Sequence, residues 1–106
     1  MLTANTDYIP GKNIKEFKGL VQGNSVRTKH FGRDIMANLK NIVGGELKGY
    51  TELLAESRRQ ATDRMIDEAH QLGADAVINI RYNSNSISDR AAEMHCYGTA
   101  VTVQDP

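Results

Sequence analysis

His95 and Cys96 stand side by side in the stretch EMHCYG, residues 93–98, and suggest metal or thiol chemistry. Cys96 is the only cysteine of the chain, and His95 is one of three histidines. An imidazole or a thiolate can bind a metal ion, and a thiolate can also act as a nucleophile. A structural zinc site needs four ligands, however, and a nucleophilic cysteine needs a nearby base or a helix N-terminus. The local sequence supplies neither.

The β-rich residues around Cys96 predict a strand, in which neighbouring side chains point to opposite faces. Cys96 then shares a small, apolar face with Met94, Gly98 and Ala100. Such a face suits close packing of a helix. We therefore predict that Cys96 is a buried and unreactive thiol.

His95 falls on the other face of the same strand, together with Glu93, Tyr97 and Thr99. Glu93 and His95 are two residues apart, roughly 6–7 Å along a strand. One copy of the chain supplies too few ligands for an ion, but converging strands in a ring of copies could supply enough. Glu93 and His95 are therefore the candidate metal ligands. The alternative is a polar patch at a subunit contact or facing solvent.

A second candidate site lies at GRD, residues 32–34, where a helix is predicted to begin. The free N–H groups of a helix start, together with Arg33, could bind an anion such as phosphate. Alternatively, Asp34 complements the helix dipole and Arg33 pairs with an acid. Glu46 follows two glycines that form either a binding hinge or a sharp turn. Arg33, Asp34 and Glu46 are the candidate ligand-binding residues, and no catalytic residue is predicted.

The apolar pattern predicts five elements in a single domain spanning residues 1–106. A strand over residues 14–26 precedes a short amphipathic helix in GRDIMANLKNIVGG and a longer helix over about 47–72. Two strands follow, AVINIRY and AAEMHCYGTAVTV, separated by a polar stretch predicted as a long turn. In AVINIRY, strict alternation would place Ala76, Ile78, Ile80 and Tyr82 on one face. The prediction is an α+β fold with two helices on one face of a small antiparallel sheet.

The longer helix is predicted to bury one face of apolar residues spaced three, four or seven apart. These are Leu54, Ala61, Met65, Ala69 and Leu72. A sheet of three strands leaves two open edges, which proteins usually cover or pair. A modest core with open edges favours a homo-oligomer that completes its sheet between subunits.

The charge, the cysteine count and the apolar content of the chain limit which class of protein it can belong to. The chain has 106 residues, 13 basic and 13 acidic side chains and one cysteine, so no internal disulfide is possible. The first residues lack the apolar run of a signal peptide, and no stretch approaches a membrane span, so we expect a cytoplasmic protein without membrane contact. Residues 1–45 carry an excess of basic side chains. We interpret this excess as part of a dipolar, solvent-exposed surface rather than as a nucleic-acid-binding site. A further interpretation is that oppositely charged parts of the surface pair between copies of the chain.

Several segments together resemble one known family. IPG near the start, GRDIMANLKNIVGGELKGYTELLAESRRQATDRM, LGADAVINIRY and YGTAV are similar to the YbjQ-like family of small bacterial proteins. The resemblance extends from Ile9 to Val103. It implies a dodecin-like α+β domain assembled into ring-shaped homo-oligomers, expected to be pentamers.

The resemblance implies little about activity. The family has no established function and is sometimes labelled heavy-metal-binding, and no catalytic residues or cofactor can be transferred from it. We favour a non-enzymatic oligomer that binds a small ligand or metal ion between subunits. The alternatives are a small enzyme with its site at the subunit interface, using Arg33, Asp34, Glu46 or the Glu93 and His95 face, and a protein-interaction module.

Overall fold

The structure is a computed structural model that describes residues 1–28, 48–88 and 91–106. The elements are β1 (Leu2–Thr3), β2 (Asn13–Thr28), α1 (Lys48–Gln71), β3 (Ala76–Ser88) and β4 (Ala91–Gln104). The predicted α+β class, the long helix and the strand before it are confirmed. The shorter predicted helix, within residues 32–45, lies outside the described residues, so the two-helix layout stays a prediction.

The sheet has four strands in the order β1-β3-β4-β2. β4 runs antiparallel to both β2 and β3, whereas β1 runs parallel to β3. The predicted three-stranded antiparallel sheet is therefore wrong in detail, and the sheet is mixed. Two residues are too few for an alternating pattern, so β1 could not be recognised from the sequence. It is held by backbone bonds, including Leu2 N–H to Asp75 O at 3.1 Å.

The polar stretch after Tyr82, predicted as a long turn, continues β3 instead. Asn83 lies opposite His95, and the pairing of β3 with β4 continues to Ser88 opposite Ala91. Asparagine and serine are poor strand formers in isolation, but strand preference depends strongly on neighbouring strands and on burial. Here the backbone hydrogen bonds with β4 hold this segment in a strand. Asn83 is exposed, so its polar side chain does not have to be buried.

Asn79 interrupts the alternation of β3. Its φ is 53°, a left-handed conformation that asparagine tolerates better than most residues, and the register with β4 shifts between Ile78 and Arg81. Ile78 consequently packs in one apolar cluster and Ile80 in the other, so the predicted single face is wrong. The N–H of Asn79 donates to Thr6 O at 2.9 Å, which ties the bulge to the N-terminal segment.

α1 covers one face of the sheet. Its buried residues recur every four positions, from Leu53 through Met65 to Ala69. The predicted buried face of this helix is correct from Ala61 to Ala69. Leu72 is instead 41% exposed, because the buried face ends at Ala69, one turn earlier. Gly73, with φ 75°, ends the helix: its N–H donates to His70 O at 3.0 Å. The core beneath α1 is formed by Val21, Ala61, Met65, Ala69, Ala74, Val77, Ile80, Met94, Cys96 and Ala100.

The opposite face of the sheet, here called the outer face, is covered only in part by described residues. A second apolar cluster forms there from Ile9, Ala76, Ile78 and Val101. A turn at Pro10 and Gly11 brings Ile9 into this cluster, with Lys12 N–H donating to Ile9 O at 3.1 Å. No helix in the described ranges is long and apolar enough to cross a membrane.

Candidate functional site

The candidate metal ligands lie on the outer face of β4, and Cys96 lies on the other. Glu93 and His95 are half-buried, whereas Cys96 is fully buried beneath α1. The prediction that His95 and Cys96 point to opposite faces is confirmed. The reason is the period-two geometry of a strand, since β4 is paired without a register shift from Ala92 to Tyr97 on both sides.

His95 is held by two neighbours. Its Nε2 lies 3.2 Å from Gln22 Oε1 on β2, and its ring stacks on that of Tyr97 with the centroids 5.5 Å apart. If Nε2 carries the proton, it donates to Gln22 and leaves Nδ1 as the nitrogen with a free lone pair. A histidine oriented in this way is a better metal ligand than a free one, because less side-chain freedom is lost on binding.

Glu93 is held in the same manner. Asn24 Nδ2 donates to Glu93 Oε1 at 3.3 Å, again from β2 to β4. Both candidate ligands are therefore positioned by amide side chains of the neighbouring strand.

β3 extends this arrangement on the other side of β4. Asn83 lies opposite His95, and Asn85 lies opposite Glu93. The resulting cluster, here called the polar plate, spans three strands. It consists of Gln22, Asn24, Asn83, Asn85, Glu93 and His95.

The four amides of the polar plate were missed by the sequence analysis. A signal was present, because amides alternate with small residues in QGN (22–24) and NSN (83–85). Both stretches are typical of turns, and only the strand pairing places them on one face beside Glu93 and His95.

Comparisons with known proteins identify the family. A family model described as "Putative heavy-metal-binding", that of YbjQ, matches residues 1–104. The chain belongs to this family. A UPF0145 protein of Hahella chejuensis is 57% identical over 104 residues, covering 98% of this chain and 100% of the relative. A UPF0145 protein of Thermotoga maritima is 52% identical over 104 residues, covering 98% of each chain.

A solved structure shares the fold. It is a protein of unknown function from Pediococcus pentosaceus, assigned to the DUF74 family, with a TM-score of 0.70. The two chains are 18% identical, and the match covers 98% of each. This similarity concerns the fold alone. The YbjQ family is uncharacterised apart from the label that its model prints.

The thiol of this YbjQ chain is poorly placed to bind a heavy metal. Burial raises the pKa of Cys96, and a backbone hydrogen bond with Gly23 lowers it by less. The thiol is therefore neutral near pH 7, whereas metals bind the thiolate. Within the described ranges, no three His, Cys, Asp or Glu side chains of one chain lie close enough to hold an ion. Glu93 and His95 remain the two adjacent donors.

The other candidates do not join this site. Arg33, Asp34 and Glu46 lie outside the described residues, so their role as ligand-binding residues stays a prediction. His70 is exposed in the last turn of α1, on the far side of the sheet from the polar plate.

Proposed function

We propose that this YbjQ protein is a homo-oligomer that binds a small ligand or a divalent metal ion between subunits through the polar plate. The observation that supports the proposal is the side-by-side placement of Glu93 and His95, each hydrogen-bonded to an amide of β2. Two donors per chain are too few for a closed site, and equivalent donors from neighbouring copies would complete it. The expected assembly is a ring, with five copies of the 11.7 kDa chain as the predicted number.

The donor set favours one class of metal. Imidazole and carboxylate suit borderline ions such as Zn²⁺, Ni²⁺ and Cu²⁺, whereas soft ions prefer thiolate and hard ions prefer oxygen alone. The family label is consistent with this class. The cytoplasmic location and the non-enzymatic role expected from the sequence stay predictions.

Metal titration of matched variants tests the proposal. We expect calorimetry with Zn²⁺ or Ni²⁺ to show saturable binding to the wild type and at least tenfold weaker binding to His95→Ala and Glu93→Gln. His70→Ala is the control, because it removes an exposed imidazole remote from the polar plate. Equal affinity for His95→Ala and the wild type would refute the metal site, as would equal losses for His70→Ala and His95→Ala.

Native mass spectrometry of the protein as purified tests the other part of the proposal. A bound organic mass that is lost in Asn24→Ala would support a small ligand at the polar plate. A monomer at micromolar concentration would contradict the proposed oligomer.

A further inference from the structure

The hydrogen bonds within the polar plate leave more acceptors than donors available to a ligand. Asn24 Nδ2 donates to Glu93 Oε1, so Asn24 Oδ1 and Glu93 Oε2 remain without a donor among the described residues. When His95 Nε2 donates to Gln22 Oε1, His95 Nδ1 is a further acceptor. These four side chains therefore present more lone pairs than N–H groups, and they favour a ligand that is rich in donors.

The charge of the polar plate favours a cation over an anion. Glu93 is its one acidic residue, and the plate contains no lysine or arginine. An anionic ligand would be repelled by the Glu93 carboxylate, whereas a cationic one would be attracted. Two arginines lie beside the plate, and both are bonded to backbone carbonyl oxygens: Arg81 donates to those of Asn5 and Ile80, and Arg64 to that of Asn24.

The acceptors are arranged in two rows across the sheet. In one row His95 lies between Asn24 and Asn83, and in the next row Glu93 lies beside Asn85. Adjacent rows on one face of a strand are roughly 6–7 Å apart. A ligand that fits both rows therefore has two groups of donors separated by a short spacer.

Apolar surface borders these rows and suits such a spacer. Val26 lies opposite Glu93 on β2 and is 61% exposed, and Tyr97 follows His95 on β4 and is 40% exposed. A methylene chain that covers part of these side chains removes apolar surface from water. The exposed part of the Tyr97 ring also attracts a cation. The ligand that matches this face has an apolar middle and cationic ends.

We infer that the polar plate binds an aliphatic diamine or polyamine, with one ammonium group at Glu93 and the next at His95. An ammonium group has three N–H donors and no acceptor, which complements the surplus of acceptors. Its hydrogen bond to the Glu93 carboxylate joins two ionised groups and is stronger than a neutral one. The inference rests on the proposed function, because it names the class of small ligand that the polar plate binds.

Calorimetry with putrescine, an unbranched aliphatic diamine, tests the inference. We expect saturable binding to the wild type, at least tenfold tighter than binding of the diol of the same length, which keeps the spacer but has no charge. Glu93→Gln should weaken putrescine binding at least tenfold, because the hydrogen bond to a charged group is lost. Equal affinity for the diol and the diamine, or an unchanged affinity in Glu93→Gln, would overturn the inference.

Asn85→Ala separates diamine binding from metal binding. Asn85 lies in the row of Glu93, and its amide oxygen is an acceptor for the same ammonium group. We expect this variant to bind putrescine about two- to tenfold more weakly and to keep the wild-type affinity for Zn²⁺. Asn13→Ala is the matched control, because Asn13 is an exposed asparagine at the far end of β2. Equal putrescine affinities for Asn13→Ala and Asn85→Ala would overturn the inference.

The two ligands also distinguish this inference from the proposed metal site. Absence of putrescine binding, with Zn²⁺ bound as expected, would overturn the inference and leave the metal site intact. Putrescine binding without Zn²⁺ binding would support the inference and refute the metal site. If both bind, we expect Zn²⁺ to displace putrescine, since both use Glu93 and His95. Simultaneous binding of the two would overturn the placement of the diamine on the polar plate.

Discussion

Gly23 of β2 lies directly beneath the backbone of Ala61 in α1. A Cβ built at Gly23 would overlap the Ala61 carbonyl oxygen and would also crowd the Met65 nitrogen. A glycine inside a strand indicates either a bulge or a close approach of another backbone, and at Gly23 the structure contains the close approach. This contact sets the distance between the helix and the sheet and therefore encloses Cys96, which lies opposite Gly23 on β4.

Replacing Gly23 by alanine should destabilise the protein strongly. The added methyl group meets backbone rather than a flexible side chain, so the helix must move away from the sheet. Overpacking of a core commonly costs about 1–3 kcal/mol, and we expect Gly23→Ala to reach the upper end of that range. Urea unfolding followed by circular dichroism measures the loss. Lys15→Ala, at an exposed position of the same strand, should change the unfolding free energy by less than about 0.5 kcal/mol.

Cys96 should be unreactive in the folded protein and should make stability depend on pH at alkaline values. Its folded pKa is raised from the usual 9.0 by burial, so the folded state retains the thiol proton to higher pH than the unfolded state does. The associated stabilisation is complete below the unfolded pKa and is lost as pH rises through the folded pKa. Urea unfolding of the wild type and Cys96→Ala between pH 7 and 11 should therefore show a stability difference that shrinks with pH above 9.

A thiol reagent provides an independent check on the buried cysteine. Modification by a chromogenic disulfide should be slow in buffer and complete in denaturant, because the side chain is fully buried. Rapid modification of the native protein would contradict the placement of Cys96 under α1.

Asn79 should tolerate glycine and reject β-branched residues. Its left-handed backbone has no steric cost for glycine but costs roughly 1–2 kcal/mol for most L-residues. We expect Asn79→Val to lower the unfolding free energy by at least that amount and Asn79→Gly to leave it nearly unchanged. If the two variants were equally stable, the bulge in β3 would not require this backbone conformation.

Gln22 should affect metal binding without contacting the ion. Its amide orients the His95 ring, and loss of a group that orients a ligand typically weakens metal affinity by about 10–100-fold. We expect Gln22→Ala to bind Zn²⁺ at least tenfold more weakly than the wild type and to keep the same oligomer mass. Asn85→Ala is the comparison, since it removes an exposed amide of the polar plate that has no hydrogen bond to His95. Equal losses in both variants would show that Gln22 has no particular role in orienting His95.

Part of this site was predictable from the sequence because it depends on local geometry. The alternation of EMHCYG, residues 93–98, places Glu93 and His95 on one face and Cys96 on the other wherever the strand remains regular. In β3 the same reasoning failed, because Asn79 adopts a left-handed conformation that no periodic pattern reveals. The polar NSNSIS stretch was likewise predicted as a turn, since its preference for a strand arises only through pairing with β4.

The sequence by itself determined the α+β class, the long helix and the two faces of β4, because each follows from a repeat along the chain. Only the tertiary structure decided which side chains lie beside Glu93 and His95. Gln22 and Asn24 are about 70 residues from His95 and Glu93 along the chain, separated by 73 and 69 positions, and strand pairing brings them into hydrogen-bonding distance. The same pairing places β1 and β2 at opposite edges of the sheet, because strand order is set by long-range contacts that local periodicity does not encode.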